Sequence, residues 1–353
     1  MSLSDNRKAI DKLDAEIVRL LNERTGHALE IGAWKLKHGQ EIYAPHREKA
    51  IWQRLKKIND GPITADSLRS IYREIMSSSL FLEKKLRIAY LGPEATYTHL
   101  AAIKKFGSSL GYVSQRTISE VFAEVTHNRA DYGVVPVENS TEGVVTHTLD
   151  MLAESELKIV AQITIPIQHC LLSKFTKNRI KRIYLHPQTL AQCRGWIQKN
   201  LPDVEVIESS SNARAAELAA KEKGSAAIAS SLAAEKYKLT VIEMDIQDNP
   251  ANATRFLVLG RKCSPSTKKD RTSLMINIAD EVGALYRALG VFRKFRINMT
   301  KIESRPSKRK AWEYFFFIDC DGHFEDKGLS KAIVELEKQS NLVKILGSYP
   351  NEE

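Results

Sequence analysis

The chain has 353 residues, 43% hydrophobic and 27% charged, enough for two or three domains with ordinary cores. Its 53 Lys and Arg against 43 Asp and Glu leave a formal charge of +10, spread along the whole length. The densest basic clusters (Lys56-Lys57, Lys84-Lys85, Lys308-Arg309-Lys310) are too short for a nucleic-acid arm, whereas a diffuse positive balance suits small anionic substrates.

No stretch approaches the about 18 apolar residues of a membrane span, and the N-terminus is charged and amphipathic with no apolar signal core. Cys170, Cys193, Cys263 and Cys320 form no C-x-x-C pair, so neither a zinc site nor a disulfide framework is indicated. The expectation is a cytoplasmic protein with reduced thiols and no bound metal.

Residues 1–85 carry helical periodicity only. Ile10, Leu13, Ile17, Leu20, Leu21, Ala28 and Ile31 recur at spacings of three, four and seven. The pattern predicts a first helix capped by Ser4 and ending near His38-Gly39, a second after Pro45 to about Ile58, and a third capped by Thr64 or Asp66 to about Lys84. One long and two short helices cannot close a core alone, which implies pairing between chains and at least a dimer.

From Leu86 to residue 268 the period changes to strand–loop–helix alternation. Apolar strands are expected at 86–92, 132–137, 183–185, 204–207, 226–229 and 255–260, the signature of an α/β region with mostly parallel strands. A Ser/Pro/Lys linker at 262–270 follows. Residues 269–353 then read strand 273–278, helix 283–295, strand 298–303, strand 312–319, helix 329–339, strand 343–348: the βαββαβ order of a ferredoxin-like fold.

Candidate chemistry begins on the first helix. Arg24 and Lys35 are eleven residues apart, so they project from one face about 16 Å apart and could grip a small dicarboxylate. Arg7 lies about 25 Å before Arg24 on another face and can join only from a partner chain. Periodicity alone reads all three as solvated surface charges at least as readily. In the α/β region neither G-x-G-x-x-G nor G-x-x-x-x-G-K-[ST] occurs, so neither a dinucleotide cofactor nor a P-loop is indicated. Polar residues do gather at strand-to-loop transitions: Thr96, Glu138-Asn139-Ser140, His186-Pro187 with Gln192, and Thr254-Arg255. Singly each reads as a turn or strand end. His99, His147, His169 and His323 have no evident acid–base partners and read as packing or surface residues.

Residues 3–35 (LSDNRKAIDKLDAEIVRLLNERTGHALEIGAWK) with PHRE at 45–48 resemble the all-helical chorismate mutase family. The resemblance implies an intertwined helical dimer. Arg7 would cross over from the partner, and Arg24 and Arg47 would hold substrate carboxylates. Lys35 and Glu83 would face the ether oxygen of chorismate, with Glu48 and Ser79 completing the site. Some relatives have aspartate where Ala44 stands and glutamine at Glu83, so Glu83 must stay protonated, its pKa raised by burial, to donate a hydrogen bond.

GPEATYTHLAA (92–102), VPVENSTEGVV (135–145), HPQTLAQC (186–193) and NATRFLVLG (252–260) resemble prephenate dehydratase. That family folds as two α/β lobes facing across a cleft, the T-R-F strand returning to the first. The resemblance implies Thr254 as acid or proton relay, Asn139 and Gln192 as hydrogen-bonding partners of the substrate, and Arg255 as carboxylate anchor or cleft-shaping residue. Thr96 and Ser140 would add contacts, and Glu138 would be structural. Ala95 stands where relatives often have glycine.

Gly283-Ala284-Leu285 at a helix start and Glu303-Ser304-Arg305-Pro306 at a strand end resemble the ACT domains that bind phenylalanine between two chains, although Val282 replaces a frequent proline. The chain is thus expected to be multidomain, with a helical mutase (1–85), a two-lobed α/β dehydratase (86–268) and a ferredoxin-like regulatory domain (269–353). Its ligands would be chorismate, prephenate and phenylalanine. The alternative is a monofunctional prephenate or arogenate dehydratase whose helical domain serves only for dimerisation.

Overall fold

The computed structural model describes residues 2–307 and 313–351. The cluster Lys308-Arg309-Lys310 and Trp312, expected to open a strand, lie outside the described residues. The chain divides into two compact units, Met1–Arg87 with Lys105–Gly111, and Ile88–Lys104 with Tyr112–Glu353.

The first unit holds α1 (Leu3–Lys37), α2 (Pro45–Ile58) and α3 (Ala65–Glu83). The cap of α1 is Ser2, not Ser4. Ser2 Oγ accepts the Asp5 amide and Asp5 Oδ2 accepts the Ser2 amide, a reciprocal box that needs an acceptor three residues on. Three residues after Ser4 stands Arg7, which cannot accept. Thr64 caps α3 through the Ser67 amide, whereas Ala44 at the start of α2 offers no side-chain bond. Among the described residues of α1, Gly32 alone is buried. A Cβ there would stand 2.7 Å from Glu83 Cγ, so the missing side chain lets α3 approach.

The second unit begins with β1 (Arg87–Leu91), α4 (Tyr97–Phe106), β2 (Gly111–Gln115), α5 (Ile118–Thr126), β3 (Tyr132–Asn139), β4 (Gly143–Val144), α6 (Thr146–Glu154) and β5 (Lys158–Pro166). The chain then builds a second lobe from β6 (Cys170–Ser173), β7 (Arg182–Leu185), α7 (Pro187–Asn200), β8 (Glu205–Glu208), α8 (Asn212–Lys221), β9 (Ser225–Ala229), α9 (Ser231–Tyr237) and β10 (Thr240–Glu243). It returns through β11 (Ala253–Gly260), which slots between β3 and β5.

The two sheets are mixed, not mostly parallel. β1–β3, β7–β8 and β7–β9 are parallel, but β11 runs against both neighbours and β6 runs against β9 and β10. The crossing between lobes explains this. β3 and β5 end at the lobe junction and β11 starts there, so it must run opposite to both. Second-lobe packing is alanine-rich, with Ala213, Ala216, Ala227 and Ala229 around the methyl of Ala95.

The C-terminal domain follows the expected order: β12 (Asp270–Asn277), α10 (Ala284–Lys294), β13 (Met299–Pro306), β14 (Tyr314–Asp321), α11 (Lys327–Gln339) and β15 (Leu342–Pro350). The sheet is antiparallel, in the order β13-β14-β12-β15. Alternation splits its faces. Leu274, Ile276 and Ile318 pack under α10 and α11, while Met275, Phe315, Phe317, Leu346 and Tyr349 join Val135, Val137, Leu152 and Leu257 of the first lobe in one core. At Gly347 a Cβ would lie 2.2 Å from Ile159 O, so only glycine lets β15 lie so close to β5. Lys344 Nζ donates to Leu152 O, Ala153 O and Ser155 O at 3.3, 3.0 and 2.7 Å, capping the C-terminal end of α6. Among the described residues no helix is long and apolar enough to cross a membrane.

Candidate active sites

In the helical unit, α1 and α3 bring four of the expected residues together. Arg24 Nη1 donates to Ser79 Oγ at 3.1 Å, and Lys35 Nζ donates to Ile42 O at 2.8 Å. Burial pushes the Glu83 carboxyl pKa up, against the pull of Lys35 and Arg24. Burial likewise pushes the Lys35 ammonium pKa down, with Glu83 opposing and Arg47 reinforcing the shift. Charges that perturb one another this way share one site, and an acid inclined to keep its proton is the kind that can donate to an anionic oxygen. Glu48 accepts from Tyr43 Oη at 3.2 Å. Arg7 is exposed near the far end of α1 and joins no such cluster among the described residues of its own chain.

In the α/β unit the site stands where β3 ends and β11 starts at the lobe junction. Asn139 Oδ1 accepts the amides of Thr141 and Glu142 at 2.9 and 3.0 Å. This fixes the amide orientation and turns Nδ2 toward Thr254 Oγ1 and Asn252 Oδ1, both at 2.8 Å. Because Thr254 Oγ1 accepts that bond, the bond does not consume its own hydrogen. Ser140 joins the same junction, its Oγ accepting the Ala253 amide at 3.0 Å. Gln192, on α7 of the second lobe, reaches across: its Nε2 lies 3.3 Å from Glu142 Oε1. Asn139, Ser140, Thr254 and Gln192 therefore form one network spanning the two lobes. Thr96 Oγ1 donates to Leu91 O within its own turn at 3.2 Å.

Three residues of this network, Glu142, Asn252 and His169, were given no site role from sequence. Asn252 is buried, and its Nδ2 has no hydrogen-bond partner among the described residues. It lies two residues before Thr254, just ahead of β11, so the N-x-T spacing carried the signal. His169 stands between Gln192 Oε1 (Nε2, 2.9 Å) and Tyr97 Oη (Nδ1, 3.0 Å). It is buried, as a packing residue would be, and burial lowers its pKa. Its partners come from α4 and α7, so no local pattern could reveal them.

Arg255 does not reach into this network. Its guanidinium pairs with Asp319 at 2.7 Å and lies 3.6 Å from Glu138. Glu138 also pairs with Lys301 at 2.8 Å. In the C-terminal domain Gly283, with φ of 80°, caps α10, and Val282 beside it is almost fully exposed. Glu303, Ser304, Arg305 and Pro306 lie on β13, where Arg305 forks onto Asp150 of α6 at 3.2 Å to each oxygen. Arg305 thus faces the first lobe, while Gly283, Ala284 and Leu285 start the helix that covers the sheet's other face.

The three-part architecture defines a fused biosynthetic enzyme with a regulatory module, and comparison with known proteins makes this specific. Residues 6–84 match the Chorismate mutase type II family model, 88–264 the Prephenate dehydratase model and 272–338 the ACT domain model. A bifunctional chorismate mutase/prephenate dehydratase of Aquifex aeolicus (strain VF5) is 48% identical, covering 99% of this chain and 98% of that protein. One of Neisseria gonorrhoeae (strain ATCC 700825 / FA 1090) is 44% identical, covering 99% and 97%. Among solved structures, the prephenate dehydratase of Arthrobacter aurescens in complex with L-Phe is 33% identical with a TM-score of 0.71, covering 75% of this chain and 90% of that one.

The chain belongs to the bifunctional chorismate mutase/prephenate dehydratase family. It is an enzyme with both activities and an ACT regulatory domain, not a dehydratase with an idle helical appendage.

Proposed function

We propose the following division of labour for the two reactions. In the mutase, Arg24 and Arg47, with Arg7 of a second copy, hold the two carboxylates of chorismate in the reactive conformer. Lys35 and protonated Glu83 face the ether oxygen, whose negative charge grows as its bond to carbon breaks. Glu48 and Ser79 orient these groups. The row of exposed apolar residues on α1 (Ile10, Leu13, Ile17, Val18, Ile31) supports burial against a second copy, and hence at least a homodimer.

In the dehydratase, the electron pair of the bond to the ring carboxylate enters the ring as CO2 departs, and the 4-hydroxyl leaves as water with a delivered proton. Thr254 relays that proton, and Asn139 and Gln192 hold the substrate from opposite lobes. Ser140 and Thr96 border the cleft. The observation that carries this reading is the hydrogen-bond network from Thr254 through Asn139 and Glu142 to Gln192.

Phenylalanine, the ligand of the Arthrobacter structure, is the proposed feedback inhibitor. The Gly283 helix start and β13 of a second copy would bind it between them, and it would shift the population of open and closed clefts. The buried free thiols Cys170, Cys193 and Cys320 support a reducing, cytoplasmic setting. The test is a coupled assay on the purified chain, with chorismate supplied and phenylpyruvate measured with and without phenylalanine. The expected result is turnover through both steps, suppressed by phenylalanine. Phenylalanine binding that changes neither rate would refute the regulatory part.

A further inference from the structure

Asn139 and Thr254 are cross-strand partners, and so are the residues beside them, Glu138 and Arg255. Successive residues of a strand face opposite ways, so a single pair of rungs presents the dehydratase site on one side and two charges on the other. Those charges meet the C-terminal domain. Arg255 pairs with Asp319 of β14, whose other oxygen accepts Ser273 Oγ at 2.6 Å. Glu138 pairs with Lys301 of β13, two residues before the Glu303-Ser304-Arg305-Pro306 run. The side chains of Arg255 and Asp319 are only 13% and 9% exposed, so solvent screens that pair weakly, whereas Lys301 is 16% and Glu138 35% exposed and their pair is screened more. The register of the β3–β11 ladder shifts between Arg255 and Phe256. The two terminal rungs lie beyond that shift on the β3 side, while β11 keeps regular pairing with β5 through Phe256 and β3 pairs with β4 at Glu138 and Asn139.

We propose that Lys301 and Asp319 are positioning residues for the dehydratase, setting the Asn139–Thr254 geometry by holding Glu138 and Arg255 from the regulatory sheet. The inference rests on the proposed role of that pair and adds a route by which the regulatory domain acts on it. A strand that shifts on effector binding carries Lys301 with it, and a small displacement of a reacting group is costly to rate but not to affinity.

The experiment uses full-length Lys301→Met, Lys301→Arg and Asp319→Asn, measuring prephenate kcat and KM separately, the mutase rate and inhibition by phenylalanine. Lys301→Met is expected to lower dehydratase kcat about tenfold, leave KM within about twofold and the mutase rate unchanged, and blunt inhibition. Lys301→Arg is expected to restore kcat. Asp319→Asn should act in the same direction, and combining Lys301→Met with Glu138→Gln should cost little more than either alone. Unchanged kcat in folded Lys301→Met and Asp319→Asn would overturn the proposal, as would a mutase rate that falls in parallel or an equal loss in the Met and Arg variants. Failure of the underlying reading shows separately, as retained turnover in Thr254→Ala.

Discussion

The helical unit and the α/β unit use their apolar residues differently. Along α1 most large apolar side chains stand exposed and glycine is the buried residue. In the α/β unit the first lobe and the regulatory sheet share one buried cluster from Ala89 to Tyr349. Under the proposed pairing the first arrangement is half of a structure, and a second copy would supply the missing surface and the missing arginine. The second is closed where the first lobe packs on the regulatory sheet. The proposed mutase site would stand or fall with association, whereas the dehydratase network forms within one chain.

The sharpest way to separate the two halves is Thr254→Ala. Loss of a proton relay is expected to lower dehydratase turnover by about 10²–10⁴-fold while the mutase rate stays at the parent value; near-normal phenylpyruvate formation would sink the assignment. The converse change is Leu13→Asp on the exposed face of α1. A buried charge at a copy–copy contact opposes pairing, and losing the partner's Arg7 removes a charged anchor of about 1.5–3 kcal/mol, roughly 10–150-fold in mutase kcat/KM. Sedimentation should show a smaller assembly, and an undiminished mutase in a dissociated sample would break the contrast.

Glu83 tests the helical site by pH. Burial raises its pKa, so the donor form prevails at low pH and is lost as pH rises through the elevated value. Mutase kcat should decline on that alkaline side, and Glu83→Gln should remove the decline while keeping activity within about tenfold. A profile that Glu83→Gln leaves unaltered would contradict a protonated donor.

The smallest effect is expected at Ala95, which has a left-handed backbone (φ 68°). That conformation costs about 1 kcal/mol without glycine, yet the methyl is buried among second-lobe alanines, worth about 0.8 kcal/mol. The two nearly cancel, so Ala95→Gly should change stability by under about 0.5 kcal/mol in chemical denaturation, and a larger shift would show that one of them dominates.

Much of this was legible in the sequence. The three helices and the six elements of the C-terminal domain appear there because each has its own period and its own breakers, such as Asn59-Asp60-Gly61-Pro62. The first cap was misplaced because serines stand at both 2 and 4 and only the acceptor three residues later distinguishes them. Strands β2, β4, β5, β6 and β10 went unread, and strand direction was misjudged, because direction is decided by where β11 re-enters, a property of the whole chain. The site followed the same division. Motif residues such as Asn139, Thr254 and Gln192 were readable, but the Arg255–Asp319 pair and the His169 contacts join segments far apart in sequence.

Lys344 has a consequence for how separable the parts of this protein are. The helix whose last carbonyls it covers belongs to the dehydratase lobe, yet the lysine sits on the final strand of the chain. A cut in the 262–270 linker would leave α6 with bare carbonyls and would strip Val135 and Leu257 of the apolar wall they pack against. The regulatory module is therefore not detachable cargo. It serves as scaffold as well as sensor, and transplanting it onto another enzyme would require carrying the underside of its sheet along.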